Sequence, residues 1–380
     1  MSAPDIHGPC PPQFEAVREA FARNFLDAPG TVSERGARFS VQIGGCLVID
    51  LWGGHADAAG EQPFGPETLT PVFSTGKAVM ALMMARLVDQ GLIGFDTPLA
   101  EVWPAFGEAG KADITLGDVL SHQAGMVGFA PPRPPEIWFE REQVLDAVAA
   151  QAPLFPPRSA SGYSPIMVGY ICGEVFRRLD GRSMGTALRE DLAEPFDLDL
   201  WWGLPAAQHG RVAQMRKPSR APDLGSIDAV RQAAFLDKGS APAGRGSAEW
   251  RQIEIPSANM HARADSLARL MGVVASGGML EGERVLSAGT LAVMSAERIS
   301  GPDRVLPFTL SWAAGLMRNE GLGIFGPDPG TLGHCGWGGS CAFADPAAGI
   351  SGAYVMSAQS HHLIGDPRAR ALVEALYASL

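Results

Sequence analysis

Apolar residues recur at helical spacing in Phe14, Val17, Phe21 and Phe25, directly after Pro11-Pro12, so Gln13 to Leu26 is expected as an amphipathic first helix. The period then falls to two. Phe39, Val41 and Ile43 alternate with polar residues, Gly44-Gly45 follows, and Cys46 to Trp52 returns as an apolar run. That pattern predicts a β-hairpin on a two-residue glycine turn. Ala78 to Val88 is apolar almost all round and stops at Gln90-Gly91, as a helix buried between two layers would. Short helices are expected over Ile114 to His122 and Pro165 to Arg178, and an amphipathic one over Ala264 to Ser276. Residues 204–250 are polar and irregular, which suits a surface excursion. Strand patterns resume at Phe308–Trp312, Thr331–His334, Cys341–Ala344 and Gly352–Met356, and Arg368 to Leu380 closes the chain as a helix.

Strands at both ends and a helical middle predict an α/β layer assembled from residues 1–92 and 305–380. Residues 93–304 are then an inserted, mainly helical domain, with a cleft between the two. The chain has 380 residues, of which 46% are hydrophobic and 19% charged, a globular balance. A net charge of −11 argues against nucleic-acid phosphates and anionic membrane surfaces as partners. No stretch is long and apolar enough for a membrane span. Met1 to His7 has neither a basic nor an apolar leader segment. Five scattered cysteines (Cys10, Cys46, Cys172, Cys335, Cys341) suit unpaired thiols. A cytoplasmic location is therefore expected. No metal-ligand or phosphate-loop motif occurs, so neither metal nor cofactor is expected.

The candidate chemistry sits at the head of the apolar helix, in Phe73-Ser74-Thr75-Gly76-Lys77. On a helix, Ser74 and Lys77 share a face, close enough for hydroxyl and amine to interact. Ser-x-x-Lys is the nucleophile motif of penicillin-binding proteins and serine β-lactamases. An ordinary lysine ionises near 10.4, so holding the amine neutral at pH 7 costs roughly 4.6 kcal/mol, within reach of burial. Alternatively, a charged Lys77 lowers the pKa of a neighbouring tyrosine. Either arrangement activates the serine. Of four tyrosines, only Tyr163 lies in a Gly/Ser loop just ahead of a helix pattern, where functional groups tend to be placed.

Further segments follow in order: Leu120-Ser121-His122-Gln123-Ala124-Gly125-Met126, Gly162-Tyr163-Ser164, and Gly333-His334-Cys335-Gly336 through Phe343-Ala344-Asp345-Pro346. Together with Ser74-Thr75-Gly76-Lys77, this set resembles the serine β-lactamase-like hydrolases. Within that group it is nearest to the family VIII carboxylesterases and class C β-lactamases, over roughly residues 15–378. The resemblance implies the β-lactamase/transpeptidase-like fold, an antiparallel sheet flanked by the terminal helices plus the helical insert. It also implies Ser74 as acylated nucleophile, with Lys77 and Tyr163 sharing the base role. His334-Cys335-Gly336 falls in the place of the family's Lys-Thr-Gly, and Trp337 would lend a backbone N–H to the oxyanion hole beside that of Ser74. Two departures, Pro165 for the asparagine of Tyr-x-Asn and His334 for the lysine, resemble the esterase branch, since a neutral acyl chain needs neither group. His122 is expected to brace the loop beneath the site, and Trp337 to wall the acyl pocket.

Gly338-Gly339-Ser340-Cys341-Ala342 approximates the nucleophile elbow of α/β-hydrolases. Ser340 is disfavoured as a rival because a strand, not a helix, is expected after it. Cys335 and Cys341 have no basic partner at a recognisable spacing. The expected activity is therefore hydrolysis of a small-molecule carboxylic ester through an acyl-enzyme on Ser74. Acyl transfer to another acceptor, weak β-lactam or D-peptide hydrolysis, and a non-catalytic binding protein on the same fold stand as alternatives. The sequence leaves oligomeric state open.

Overall fold

The computed structural model describes residues 4–27 and 32–380; Met1 to Ala3, part of the N-terminal stretch read for a leader, lie outside them. Its central feature is a nine-stranded sheet. In chain order the strands are β1 (Ile6–His7), β2 (Gly36–Ile43), β3 (Cys46–Gly54), β4 (Ile299–Pro302), β5 (Thr309–Trp312), β6 (Met317–Arg318), β7 (Leu332–Cys335), β8 (Cys341–Asp345) and β9 (Ile350–Met356). They lie side by side as β1-β3-β2-β9-β8-β7-β6-β5-β4, every pairing antiparallel. The expected hairpin forms on Gly44-Gly45, both at positive φ (59° and 82°), where glycine avoids the side-chain clash. The seam between the two ends of the chain is β2 against β9, with Phe39 opposite Tyr354 and Val41 opposite Gly352.

Both faces of the sheet are covered. Phe39, Val41, Phe343 and Tyr354 pack beneath α1 (Glu15–Arg23) and the last helix, α5 (Pro367–Tyr377). The opposite face carries small residues, Ala342, Ala344 and Ala353, against α4 (Ala264–Ala275). The polar positions that alternate along β2 are consequently buried rather than solvated. Arg38 donates to both oxygens of Asp50 at 2.7 Å and pairs with Asp265 of α4 at 2.9 Å, and Ser40 donates to Asp50 at 2.7 Å. The polar face of β2 is satisfied by the neighbouring strand β3 through Asp50 and by α4 through Asp265, not by water.

Helix α2 (Gly76–Asp89) runs between this layer and the helical one, buried from Gly76 through Ala85. It packs on β7, on α4 and on α3 (Met167–Asp180). A helix apolar on every side has no stable place except such a sandwich. Helix α4 belongs by position to residues 93–304 but covers the sheet, and β4 joins the sheet at residue 299. We propose the two-part division of the chain with those two segments grouped with the sheet. Among the described residues no helix is long and apolar enough to cross a membrane.

Candidate active site

The chain enters the site through the short strand Thr70–Pro71, which pairs with His261–Ala262. Phe73 then takes a left-handed backbone conformation (φ 49°), unusual for a residue with a side chain. Such a conformation costs about 1–3 kcal/mol and persists only where the surroundings fix it. Here its ring is held between Trp250 and Trp337, with centroids 6.2 and 6.3 Å away. The turn Phe73–Thr75 leads into α2 and leaves Ser74 partly open to solvent, while Phe73 and Thr75 on either side are buried.

Lys77 is 1% exposed. Its Nζ lies 3.0 Å from Ser74 Oγ, 2.9 Å from Tyr163 OH and 2.8 Å from the carbonyl oxygens of both Pro165 and Ser257. None of these partners is a carboxylate. Burial therefore drives the Lys77 pKa well below the ordinary lysine value. Two N–H groups of a neutral amine satisfy the two carbonyls and leave its lone pair directed at the hydroxyls. Burial also raises the pKa of Tyr163, so the phenol stays protonated. Of the two arrangements open from the sequence, the neutral amine is the one this environment favours.

Tyr163 sits in a loop whose three successive backbone N–H groups are each captured. Gly162 donates to the His122 carbonyl at 2.8 Å, Tyr163 to Asp303 Oδ1 at 3.0 Å, and Ser164 to His122 Nδ1 at 3.2 Å. Accepting that bond at Nδ1 places the His122 proton on Nε2, and burial holds its pKa well below 6.5. The ring of Tyr163 stacks on Trp312 (6.0 Å between centroids, planes 11° apart) and meets the edge of His122 at 4.9 Å. His122 thus braces the loop, as expected. Asp303 and Trp312 were not singled out by the sequence. Asp303 lies in an ordinary Gly-Pro-Asp turn, and only the fold reveals that its carboxylate also gathers the N–H groups of Val305 and Leu306.

The segment 334–337 forms the opposite wall. Gly336 is pressed against the turn that carries Ser74 so closely that a Cβ there would lie 2.2 Å from both Val72 O and Ser340 Oγ. Trp337 comes next, its ring against Phe73. Among the described residues, the backbone N–H groups of Ser74 and Trp337 donate to no carbonyl of a neighbouring turn or strand. His334 is buried beside Tyr163, centroids 6.1 Å apart, and burial lowers its pKa to about 3, with Lys77 adding to the effect. At neutral pH it carries no charge. Cys335, expected among the substrate-binding residues, alternates to the other face of β7. There it lies opposite Cys341 and lines a small cavity with Phe325 and Ala369, its thiol pushed up to about 12 by burial. We therefore leave it out of the substrate-binding set. Ser340, the rival nucleophile, is 1% exposed and donates to Val72 O at 2.9 Å, while Thr75 Oγ1 lies 3.0 Å from it. It is a pin between the 336–340 hairpin and the nucleophile turn.

A serine and a buried lysine one helical turn apart, beside an antiparallel sheet closed by both chain ends, define the β-lactamase-like serine hydrolases. The Beta-lactamase family model matches residues 21–376, and the chain belongs to that family. The esterase/beta-lactamase LipL of Mycobacterium tuberculosis is 35% identical over 368 residues, covering 92% of this chain and 82% of LipL. A penicillin-binding protein homolog from Caulobacter crescentus superposes with a TM-score of 0.96 at 53% identity, covering 99% of this chain and all of that one. A family VIII carboxylesterase superposes with a TM-score of 0.90 at 37% identity and the same coverage.

Proposed function

We propose that this serine hydrolase cleaves small carboxylic esters through an acyl-enzyme on Ser74. The observation that carries this reading is the placement of Lys77 Nζ within hydrogen-bond reach of both Ser74 Oγ and Tyr163 OH, with no carboxylate bound to it. Ser74 attacks the ester carbon as its proton passes to the Lys77 amine. The oxyanion is held by the N–H groups of Ser74 and Trp337. Tyr163, hydrogen-bonded to the newly charged Lys77, relays a proton to the departing alkoxide. Water then attacks the acyl-enzyme by the reverse relay and releases the acid. The carboxylesterase at 37% identity supports an ester as substrate, as does a neutral histidine at position 334, while the name of LipL covers both an esterase and a β-lactamase.

Intact-mass spectrometry after incubation with p-nitrophenyl butyrate or a fluorophosphonate tests the reading. A single adduct is expected on the wild type and on Ser340→Ala, and none on Ser74→Ala. An adduct that persists in Ser74→Ala overturns the assignment. Its decay with and without an added alcohol distinguishes hydrolysis from acyl transfer.

A further inference from the structure

Arg245 lies in the irregular stretch expected to be a surface excursion, yet it is placed with care. Glycines at positive φ flank it (Gly244 at 59°, Gly246 at 86°), and Ser247 immediately afterwards caps the short helix Ala248–Gln252 by accepting the Trp250 N–H at 3.1 Å. That helix carries Trp250 onto one side of Phe73. Trp337 also packs against Phe73, and the Arg245 guanidinium stacks 4.4 Å above the Trp337 ring. One segment therefore touches both aromatic walls beside the nucleophile turn.

The guanidinium has no hydrogen-bond or ion-pair partner among the described residues. In a protein with 41 acidic and 30 basic residues, acidic partners are not scarce. The residue as a whole is exposed, but the surrounding protein removes enough water from its charged end to lower its pKa, with no acidic neighbour opposing the effect. A stacked guanidinium keeps its N–H edge free, and that edge matches the two oxygens of a carboxylate.

We infer that Arg245 is a specificity-determining residue that binds a free carboxylate on the substrate, so that the site takes half-esters of dicarboxylic acids in preference to neutral esters of equal length. This inference rests on the proposed esterase reading. The expectation of a neutral acyl chain came from Pro165 and His334, two positions inside the site; Arg245 supplies a cation from the rim instead.

The test compares the mono-p-nitrophenyl esters of adipic and suberic acid with p-nitrophenyl hexanoate and octanoate. The wild type should favour the half-esters. The ratio of kcat/KM, half-ester over neutral ester, should fall about tenfold or more in Arg245→Gln and recover in part in Arg245→Lys. In the wild type, added salt should lower turnover of the half-esters selectively. An unchanged ratio in Arg245→Gln, or an equal salt response for both classes, overturns the inference while leaving the esterase reading intact. A wild type that turns over neither class and leaves Ser74 unlabelled brings down both.

Discussion

Two buried lysines show how residue environment separates structure from chemistry. Lys111 is as deeply buried as Lys77, but its Nζ donates to three carbonyls, those of Glu108 (2.7 Å), Ala149 (2.9 Å) and Gln151 (2.5 Å). Each N–H of an ammonium ion is satisfied there. Lys77 has two carbonyls and two hydroxyls instead, which suits a neutral amine. Its pKa is lower in the folded chain than in the unfolded one, so the unfolded chain binds the extra proton. Lys77 therefore costs stability below its ordinary ionisation near 10.5, increasingly so as pH falls toward its folded value, and nothing above 10.5. Replacing it with methionine should raise Tm relative to wild type by more at pH 7 than at pH 10; an equal offset at both would contradict a neutral amine. Activity should fall at acid pH through one ionisation, that of Lys77. His334→Gln should leave this limb in place, because His334 titrates near 3, outside the assay range. Asp303→Ala frees the Tyr163 N–H and should reduce kcat about tenfold to a hundredfold with the pH limb unmoved. Asp303→Asn keeps an acceptor oxygen and should recover most of that loss, measured as kcat against KM. Ser74 and Lys77 were legible because their spacing is local. Tyr163 needed its loop context and a family resemblance. Of its clamps, His122 was expected as a brace from its motif, whereas Asp303 depends on how a distant backbone runs, which no spacing encodes.

At the scale of elements, length alone did not decide what was readable. The hairpin β2–β3, the helix α2, the C-terminal helix and the short strands β5, β7 and β8 fall close to where the pattern placed them. The two-residue β6 carries too few positions to show a period, and β4 reads Ile-Ser-Gly-Pro, so tertiary pairing alone makes them strands. The polar face of β2 is filled by the Arg38–Asp50–Asp265 network, which the alternation could not show because amphipathicity reports polarity and not what lies opposite. The junction between β7 and the nucleophile turn gives the sharpest prediction at this scale. Gly336→Ala introduces a methyl group against Val72 O and Ser340 Oγ, and the backbone carbonyl cannot rotate aside. The strand must withdraw, carrying the Trp337 N–H with it. A loss of kcat of at least a hundredfold is expected, the scale of one lost oxyanion donor, together with about 1–3 kcal/mol of destabilisation in urea titration. Activity near wild type would mean that the Trp337 N–H is not part of the hole.

The molecule as a whole is closed by charge as well as by pairing. Arg368, at the start of the last helix, donates to Glu34 at 2.7 Å and to Asp366 at 2.8 Å, all three nearly inaccessible to water. Glu34 in turn accepts from the Tyr354 hydroxyl at 2.5 Å and from the Ala358 N–H at 3.2 Å. Arg368→Met removes the cation from two buried carboxylates and should cost about 3–5 kcal/mol in urea unfolding, with Ser74 still open to labelling below the transition. A change within experimental error would show that the network is neutral to stability. The seam of β2 with β9 also sets the order of events during synthesis. Residues 36–43 leave the ribosome well before residues 350–356 and wait for them as an unpaired strand edge. Ser74 likewise precedes Trp337 by a long stretch of sequence. Until residues 332–356 are translated the seam is unmade, so on the proposed mechanism a nascent chain that has yet to reach them carries Ser74 without its oxyanion partner and should resist labelling by a fluorophosphonate. The long-range pairing that delays folding would also delay activity until both strands of the seam exist.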